Sequence, residues 1–315
     1  MGETTAIAHL APDELVAPPL GLGELTWRRF RRHKMAIWGA VVLILLVGYA
    51  FLPALFISED VANHTDTSLR LDTPSAAHPF GTDTVGRDIL VRTIYGGQIS
   101  IIIGIIAALL EVLAGILIGA AAGYYGGLVD SVLMRLTEAM LTIPQLFLLI
   151  VMAKVFAAGI PNLELFGRTF SGSVVVIVLI IGLTSWPYLA RIVRAEFLSI
   201  KEREFILAAR ATGTPTYQII FRHILPNCIA PIVVTATLGV ANAITLEAYI
   251  SFLGLGVRPP TATWGNMLEG AYVYIQNGVY WLWLFPGLLI VLTVLSINFL
   301  GDGLRDALDP RSRTV

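Results

Sequence analysis

The sequence predicts an all-α integral membrane protein with six transmembrane helices and both termini cytoplasmic. Three observations predict it: an excess of apolar residues, six separate apolar stretches of membrane-spanning length, and a lopsided distribution of basic residues between alternate loops. Hydrophobic residues make up 56% of the 315 positions and charged residues only 14%, with a mean hydropathy of +0.77. A soluble domain of this length could not bury that much apolar surface. The single cysteine, Cys228, excludes a disulfide framework and reads as a buried inert thiol.

Residues 1–34 form the first unit, a cytoplasmic tail expected to be flexible because Pro12, Pro18 and Pro19 interrupt it and no helical period is sustained before residue 27. The basic run Arg28, Arg29, Arg31, Arg32 and Lys34 then leads into the apolar stretch 35–57, too long for the core of a cleavable signal and so retained as the first transmembrane helix. Residues 58–97 are turn-rich and form the first external loop. The core, 98–303, holds five further spans at about 98–123, 133–158, 173–195, 228–253 and 279–301, each near the ~20 residues that a bilayer core requires. Gly104, Gly115, Gly119, Pro144, Pro187, Gly239 and Pro286 fall inside these spans, as close-packed or bent membrane helices permit. Residues 304–315 form a cytoplasmic tail.

Fifteen of the 21 Lys and Arg residues fall on one side: five before the first span, Arg135, six from Arg191 to Arg222, and three after Gly303. Arg70, Arg87, Arg92, Lys154, Arg168 and Arg258 make up the rest. The positive-inside bias therefore places the ends of the chain in the cytoplasm. Outside, only 58–97 and the loop containing Gly254 to Gly278 are large enough to receive another protein.

The cytoplasmic loop 201–227, KEREFILAARATGTPTYQIIFRHILPN, reads as two short helices around a corner. Gly213 supplies a left-handed residue that stops the first, Thr214 an N-cap and Pro215 the first position of the second, and Pro226 ends that helix or starts the next span. Ala208, Ala209 and Gly213 leave one surface nearly bare of side chains, so another protein can approach it closely.

The order Ala208-Ala209, Gly213, then Leu225-Pro226 resembles the cytoplasmic signature of importer-type ABC transporter permeases. In this sequence Leu207 stands where an acidic residue commonly heads that signature and His223 at a later apolar position, with Glu204 one turn earlier. Further stretches, HPFGTDTVGRDILVRTIYGG at 78–97, RHILPN at 222–227, SFLGLGVRPPTATWGNML at 251–268 and GDGLRDALDPR at 301–311, are similar to the C-type permease subunit of dipeptide, oligopeptide and nickel ABC importers. The resemblance implies an importer-type permease fold in a bacterial or archaeal cytoplasmic (inner) membrane, a coupling helix at the 201–227 loop, and a pathway shared with a second homologous permease subunit. It also implies two ATPase subunits that bind ATP and Mg, an external solute-binding protein, and a peptide substrate, with nickel or an oligosaccharide left open.

Phe80, Gly81, Thr82, Asp83, Gly86, Arg87 and Asp88 read either as a capped turn, with Thr82, Asp83 and Asp88 bonding local amides, or as an external docking surface; the two are compatible. Glu111 and Glu247 lie within spans and Glu138 near the cytoplasmic end of the third, where carboxylates mark a pathway, a proton site or an interface bond. Interface bonding suits Glu138 and Glu247, and Glu111 fits either role. The five histidines show no metal-ligand spacing, Ser171 and Ser173 read as helix-capping residues, and no P-loop, GxSxG elbow or HExxH pattern occurs. The chain therefore reads as a non-catalytic subunit with no cofactor and no metal of its own, in contact with membrane lipid and not with nucleic acid. A proton-coupled secondary transporter using Glu111 or Glu247 is the competing reading, and an intramembrane enzyme a weaker one.

Overall fold

Amphipathic periodicity begins earlier than the tail reading allows: α1 (Leu22–Arg32) is helical and puts Thr26, Trp27 and Phe30 on one face. The computed structural model describes residues 22–156, 160–165 and 168–308. The rest of the N-terminal tail, with Pro12, Pro18 and Pro19, and the end of the C-terminal tail lie outside those residues. After α1, His33 caps α2 (Lys34–Phe51), its Nδ1 accepting from the Ala36 amide at 3.1 Å. A 3-10 turn at Pro53–Leu55 ends this first span, slightly before the expected residue 57.

The segment after α2 contains α3 (Glu59–Asn63) and a 3-10 turn, Thr67–Leu69, where the Ser68 hydroxyl and amide both donate to Asp66 and hold its carboxyl below the usual range. Next, α4 (Ile89–Tyr125) is 37 residues long and starts well before the expected residue 98, so the preceding loop ends at Asp88. Tyr95-Gly96-Gly97, read from the sequence as part of a turn-rich loop, is buried inside this helix. The reason is tertiary. A Cβ at Gly97 would stand 2.6 Å from the Trp264 ring, so the missing side chain is the space that a tryptophan 167 positions later fills.

The expected third span is a broken pair, α5 (Gly127–Thr142) and α6 (Gln145–Phe156), bent by 87°. Pro144 has no N–H to continue the ladder and disfavours helical backbone at Ile143, which is extended with φ −80° and ψ 124°. A two-stranded antiparallel hairpin, β1 (Leu163–Leu165) and β2 (Arg168–Phe170), precedes α7 (Gly172–Ile200). The long helices α4 and α7 pack along their length, with Gly115, Gly119 and Gly123 of α4 facing Leu189, Val193 and Phe197 of α7. In lipid, apolar contact alone gives helices little reason to associate. Close approach through small residues supplies the packing instead.

The loop 201–227 holds α8 (Glu204–Ala211) and α9 (Thr216–Gln218), and then the chain stays helical through a π turn at Ile219–Ile224 and a 3-10 turn at Leu225–Cys228 into α10 (Ile229–Phe252). Pro226 therefore sits at the start of the 3-10 turn within one helical run and separates no elements. A second long loop carries α11 (Tyr272–Ile275) before α12 (Trp281–Leu308), which continues past the expected residue 301. Among the described residues, five helices are long and apolar enough to cross a membrane, and the bent α5–α6 pair makes up to six.

Candidate functional site

The corner after α8 is built by the backbone. Gly213 has φ +76°, its N–H donates to the Arg210 carbonyl at 3.0 Å, and the Thr214 N–H donates to the Ala209 carbonyl at 3.0 Å. This paired arrangement closes a helix on a left-handed residue, a conformation that glycine adopts without strain. The second half differs from the sequence reading. Pro215, with φ −65° and ψ 146°, is the N-cap of α9 rather than its first helical residue, and the Thr214 hydroxyl faces that of Thr212 at 3.4 Å.

A buried residue anchors the corner to the bundle. Ile206 is fully buried with Phe197, Ile200, Ile219 and Ile224, so α8 is fastened on one side while its other side is bare. Ala208 and Gly213 are exposed, as are Glu204 and Pro215, and nothing lies within 4 Å of a Cβ built at Gly213. Around them Phe205, Leu207, Tyr217 and Phe221 are 46–63% exposed. Leu225 and His223 are half-buried beside Pro226, which is exposed. The corner thus exposes four large apolar side chains among charged ones, and exposed apolar surface is a common feature of interaction sites. Behind it, Asp130 forms a two-pronged ion pair with Arg194, Lys201 Nζ donates to the Gly123 carbonyl at 2.9 Å, and the Arg210 guanidinium lies 5.5 Å from the centre of the Tyr124 ring. These pairs tie the ends of α4, α5, α7 and α8 together.

A cavity of about 790 Å³ opens between the α5–α6 bend, α7 and α10, and Glu111 of α4 points into it. Glu111 is 6% exposed and packs on Gly239, where an added Cβ would meet its Oε2 at 2.9 Å. No hydrogen-bond donor or cation among the described residues reaches its carboxylate. Gln145, Thr184, Ser185, Tyr188, Thr235, Asn242 and Arg305 supply the other polar groups, with Gln145 held to Ser185 at 3.0 Å. An intramembrane carboxylate facing a cavity is the arrangement expected of a pathway group.

Glu247 is placed differently. It is fully buried and accepts from the hydroxyls of Ser251 at 2.7 Å, Thr263 at 2.8 Å and Ser100 at 3.4 Å. Ser100 Oγ in turn accepts from the Trp264 amide, and the Trp264 indole donates to the Thr93 carbonyl. Glu247 thus clasps α4, α10 and the second long loop together, an internal bond as its sequence position allowed. Glu138 lies on the surface of α5, its side chain 66% exposed and 3.7 Å from Arg135.

The 80–88 motif is turned inward. Thr82 is fully buried, its hydroxyl donating to the Leu69 carbonyl, and its own carbonyl accepts from the Trp281 indole at 3.1 Å. Asp83 accepts from the amides of Val85 and Arg87 and pairs with the Arg87 guanidinium at 2.6 Å. Asp88 caps α4 through the Val91 amide and holds His78 at 2.8 Å. Phe80 stacks on Phe285 with ring centres 3.9 Å apart, and Gly81 and Gly86 have φ of +73° and +80°. These residues build the loop, and its outward surface comes from neighbours such as Val85, Thr73 and Pro79. Ser171 caps α7 and Ser173 accepts from the Arg258 amide, as capping residues do. Sequence reading missed the clasp partners Ser100, Ser251 and Thr263. The run SFLGLGVRPPTATWGNML already contained the last two, but nothing in it points to α4.

The arrangement agrees with comparisons to known proteins. Residues 115–314 match the family described as binding-protein-dependent transport system inner membrane component, and residues 21–74 match the N-terminal TM domain of oligopeptide transport permease C. The dipeptide transport system permease protein of Bacillus subtilis is 38% identical over 301 residues, spanning 96% of this chain and 89% of its own. A Brucella suis protein with a provisional peptide permease name is 43% identical over 285 residues, 90% of this chain and 89% of that one. A solved structure of inward-facing conformations of the MetNI methionine ABC transporter shares the fold, with a TM-score of 0.52 at 20% identity over 68% of this chain and 94% of that one. The chain therefore belongs to the binding-protein-dependent transport system inner membrane components, as a multi-pass permease subunit of an ABC importer.

Proposed function

We propose that this permease imports peptides, with dipeptides or oligopeptides as cargo, and that the α8–Gly213 corner is where ATPase subunits dock. The observation that carries the docking role is the exposed, nearly side-chain-free corner fixed to the bundle by buried Ile206. Peptide cargo is supported by the names of the relatives. The chain acts as a non-catalytic subunit: ATP and Mg are bound by two partner ATPases, and a second homologous permease closes the cavity that Glu111 faces into a shared pathway. Both termini and the corner lie in the cytoplasm, and an external solute-binding protein delivers cargo to the opposite end. ATP binding draws the ATPases together and moves the corner, and the bundle alternates between inward-facing and outward-facing states.

The test is reconstitution of the complete complex in proteoliposomes. Labelled dipeptide, labelled oligopeptide, nickel ion and an oligosaccharide are each offered with the cognate binding protein, with and without ATP. ATP-dependent accumulation of a peptide supports the reading. Accumulation of nickel or the oligosaccharide alone overturns the cargo, and uptake by the permease without any ATPase chain overturns the coupling.

A further inference from the structure

The face of α1 that carries Gly23, Thr26, Trp27 and Phe30 and the final turns of α12 at Leu304 and Leu308 enclose an open apolar groove of about 550 Å³. Trp27 is 57% exposed, although its ring stacks on Phe30 with centres 6.0 Å apart. At 100° per residue, Arg28, Arg29 and Arg32 fall on the opposite face of α1 and Arg31 at its boundary. Arg31, Arg32 and Lys34 are exposed, whereas Arg28 is held by Glu24 at 3.0 Å.

Position in the fold says what meets this surface. His33 alone separates α1 from α2, the first helix long and apolar enough to cross a membrane, so α1 adjoins one end of that span. It is fixed there, because the His33 ring lies 3.5 Å from Asp306 and Phe30 packs beside Gly303. One turn deeper, Trp38 is 44% exposed and meets Phe299 edge-on, as aromatic residues do near a membrane boundary. An apolar channel with exposed Arg31 at the boundary of its face and exposed Lys34 at the junction with α2 complements both halves of an acidic amphiphile.

We infer that α1 and the end of α12 form a binding site for an anionic phospholipid, with the headgroup phosphate on Arg31 and Lys34 and an acyl chain along the Trp27–Leu304 groove. A neutral lipid would fill the groove and leave the cations uncompensated. The site lies outside the cavity and the corner, so it does not depend on the cargo.

The complete complex is placed in phosphatidylcholine vesicles containing equal mole fractions of brominated phosphatidylglycerol or brominated phosphatidylcholine. Bromine quenches tryptophan at contact, and comparison with Trp27→Phe isolates the share of Trp27. Brominated phosphatidylglycerol should quench that share at lower mole fraction, by about fivefold for each cation engaged at low salt, and the preference should fall as salt rises. Arg31→Ala combined with Lys34→Ala should reduce the preference to the phosphatidylcholine level while membrane abundance stays normal, and Arg32→Ala should leave it nearly unchanged. Equal quenching by the two lipids in the unmodified complex overturns the proposal. Absence of quenching by either lipid also overturns it, because protein would then cover the groove.

Discussion

Replacing Gly213 by aspartate adds one charge to the corner and nothing else. A built Cβ meets no atom within 4 Å, and both hydrogen bonds that close α8 come from backbone groups, so they survive the substitution. The φ of +76° imposes strain of about 1 kcal/mol on a residue with a side chain, and aspartate tolerates this region better than most. The fold therefore loses about 1 kcal/mol. If an ATPase cleft closes over the corner, the new carboxylate must give up water without gaining a partner, at about 3 kcal/mol, or roughly 100-fold in affinity. Gly213→Ala carries the strain without the charge and serves as the comparison. Membrane abundance, ATPase retained through purification, and ATP-dependent uptake are measured for all three proteins. The aspartate variant should be present at normal abundance with little ATPase and little uptake, and the alanine variant should behave nearly as wild type. Normal uptake by Gly213→Asp, or equal loss in both variants, would refute the reasoning.

Four further outcomes are expected. A cysteine introduced at Thr212 should react only with reagents supplied from the cytoplasm and one at Val85 only from outside, and labelling of both from one side would overturn the topology. Glu247→Gln leaves one carbonyl oxygen where two carboxylate oxygens serve three hydroxyls, and should lower stability by about 1–3 kcal/mol, read as a lower thermal midpoint in detergent. Gly97→Ala drives a methyl against the Trp264 ring and should cost about 1–3 kcal/mol by the same measurement. Glu111→Gln should leave that midpoint unchanged, since the carboxylate has no partner among the described residues, yet lower uptake by about tenfold, the worth of one charge-assisted bond.

The membrane-crossing helices were legible because apolar length is a local property, written in each stretch by itself. Gly213 was equally legible, since a left-handed cap is decided by a few neighbouring residues. What depended on distant partners was hidden. Gly96 and Gly97 have the composition of a turn, yet they lie inside α4, where Thr263 and Trp264 pack against them. Glu247 is recognisable as an internal clasp only once Ser100 and Thr263 are seen to meet it. Pro144 was visible as a helix-bending residue, but a proline inside a membrane helix is compatible with a gentle kink as well as with the 87° break. The 80–88 motif was readable as a capped turn, while its inward orientation follows from Phe285 and Trp281 some 200 positions away.

The helical run from Thr216 to Phe252 and the elbowed α5–α6 pair wall the cavity in different ways. At 1.5 Å per residue the 37 residues of the run cover roughly 55 Å, beginning three residues beyond Gly213 and carrying Glu247 near the far end. Its π and 3-10 turns, with Pro226 among them, lie close to the corner, so a bend there would leave α10 a single piece up to the clasp. The facing wall, α5 and α6, has its elbow at Pro144. If ATPases dock at the corner, each wall then has one joint, and the clasp on Glu247 holds the far end of α10 while both joints flex.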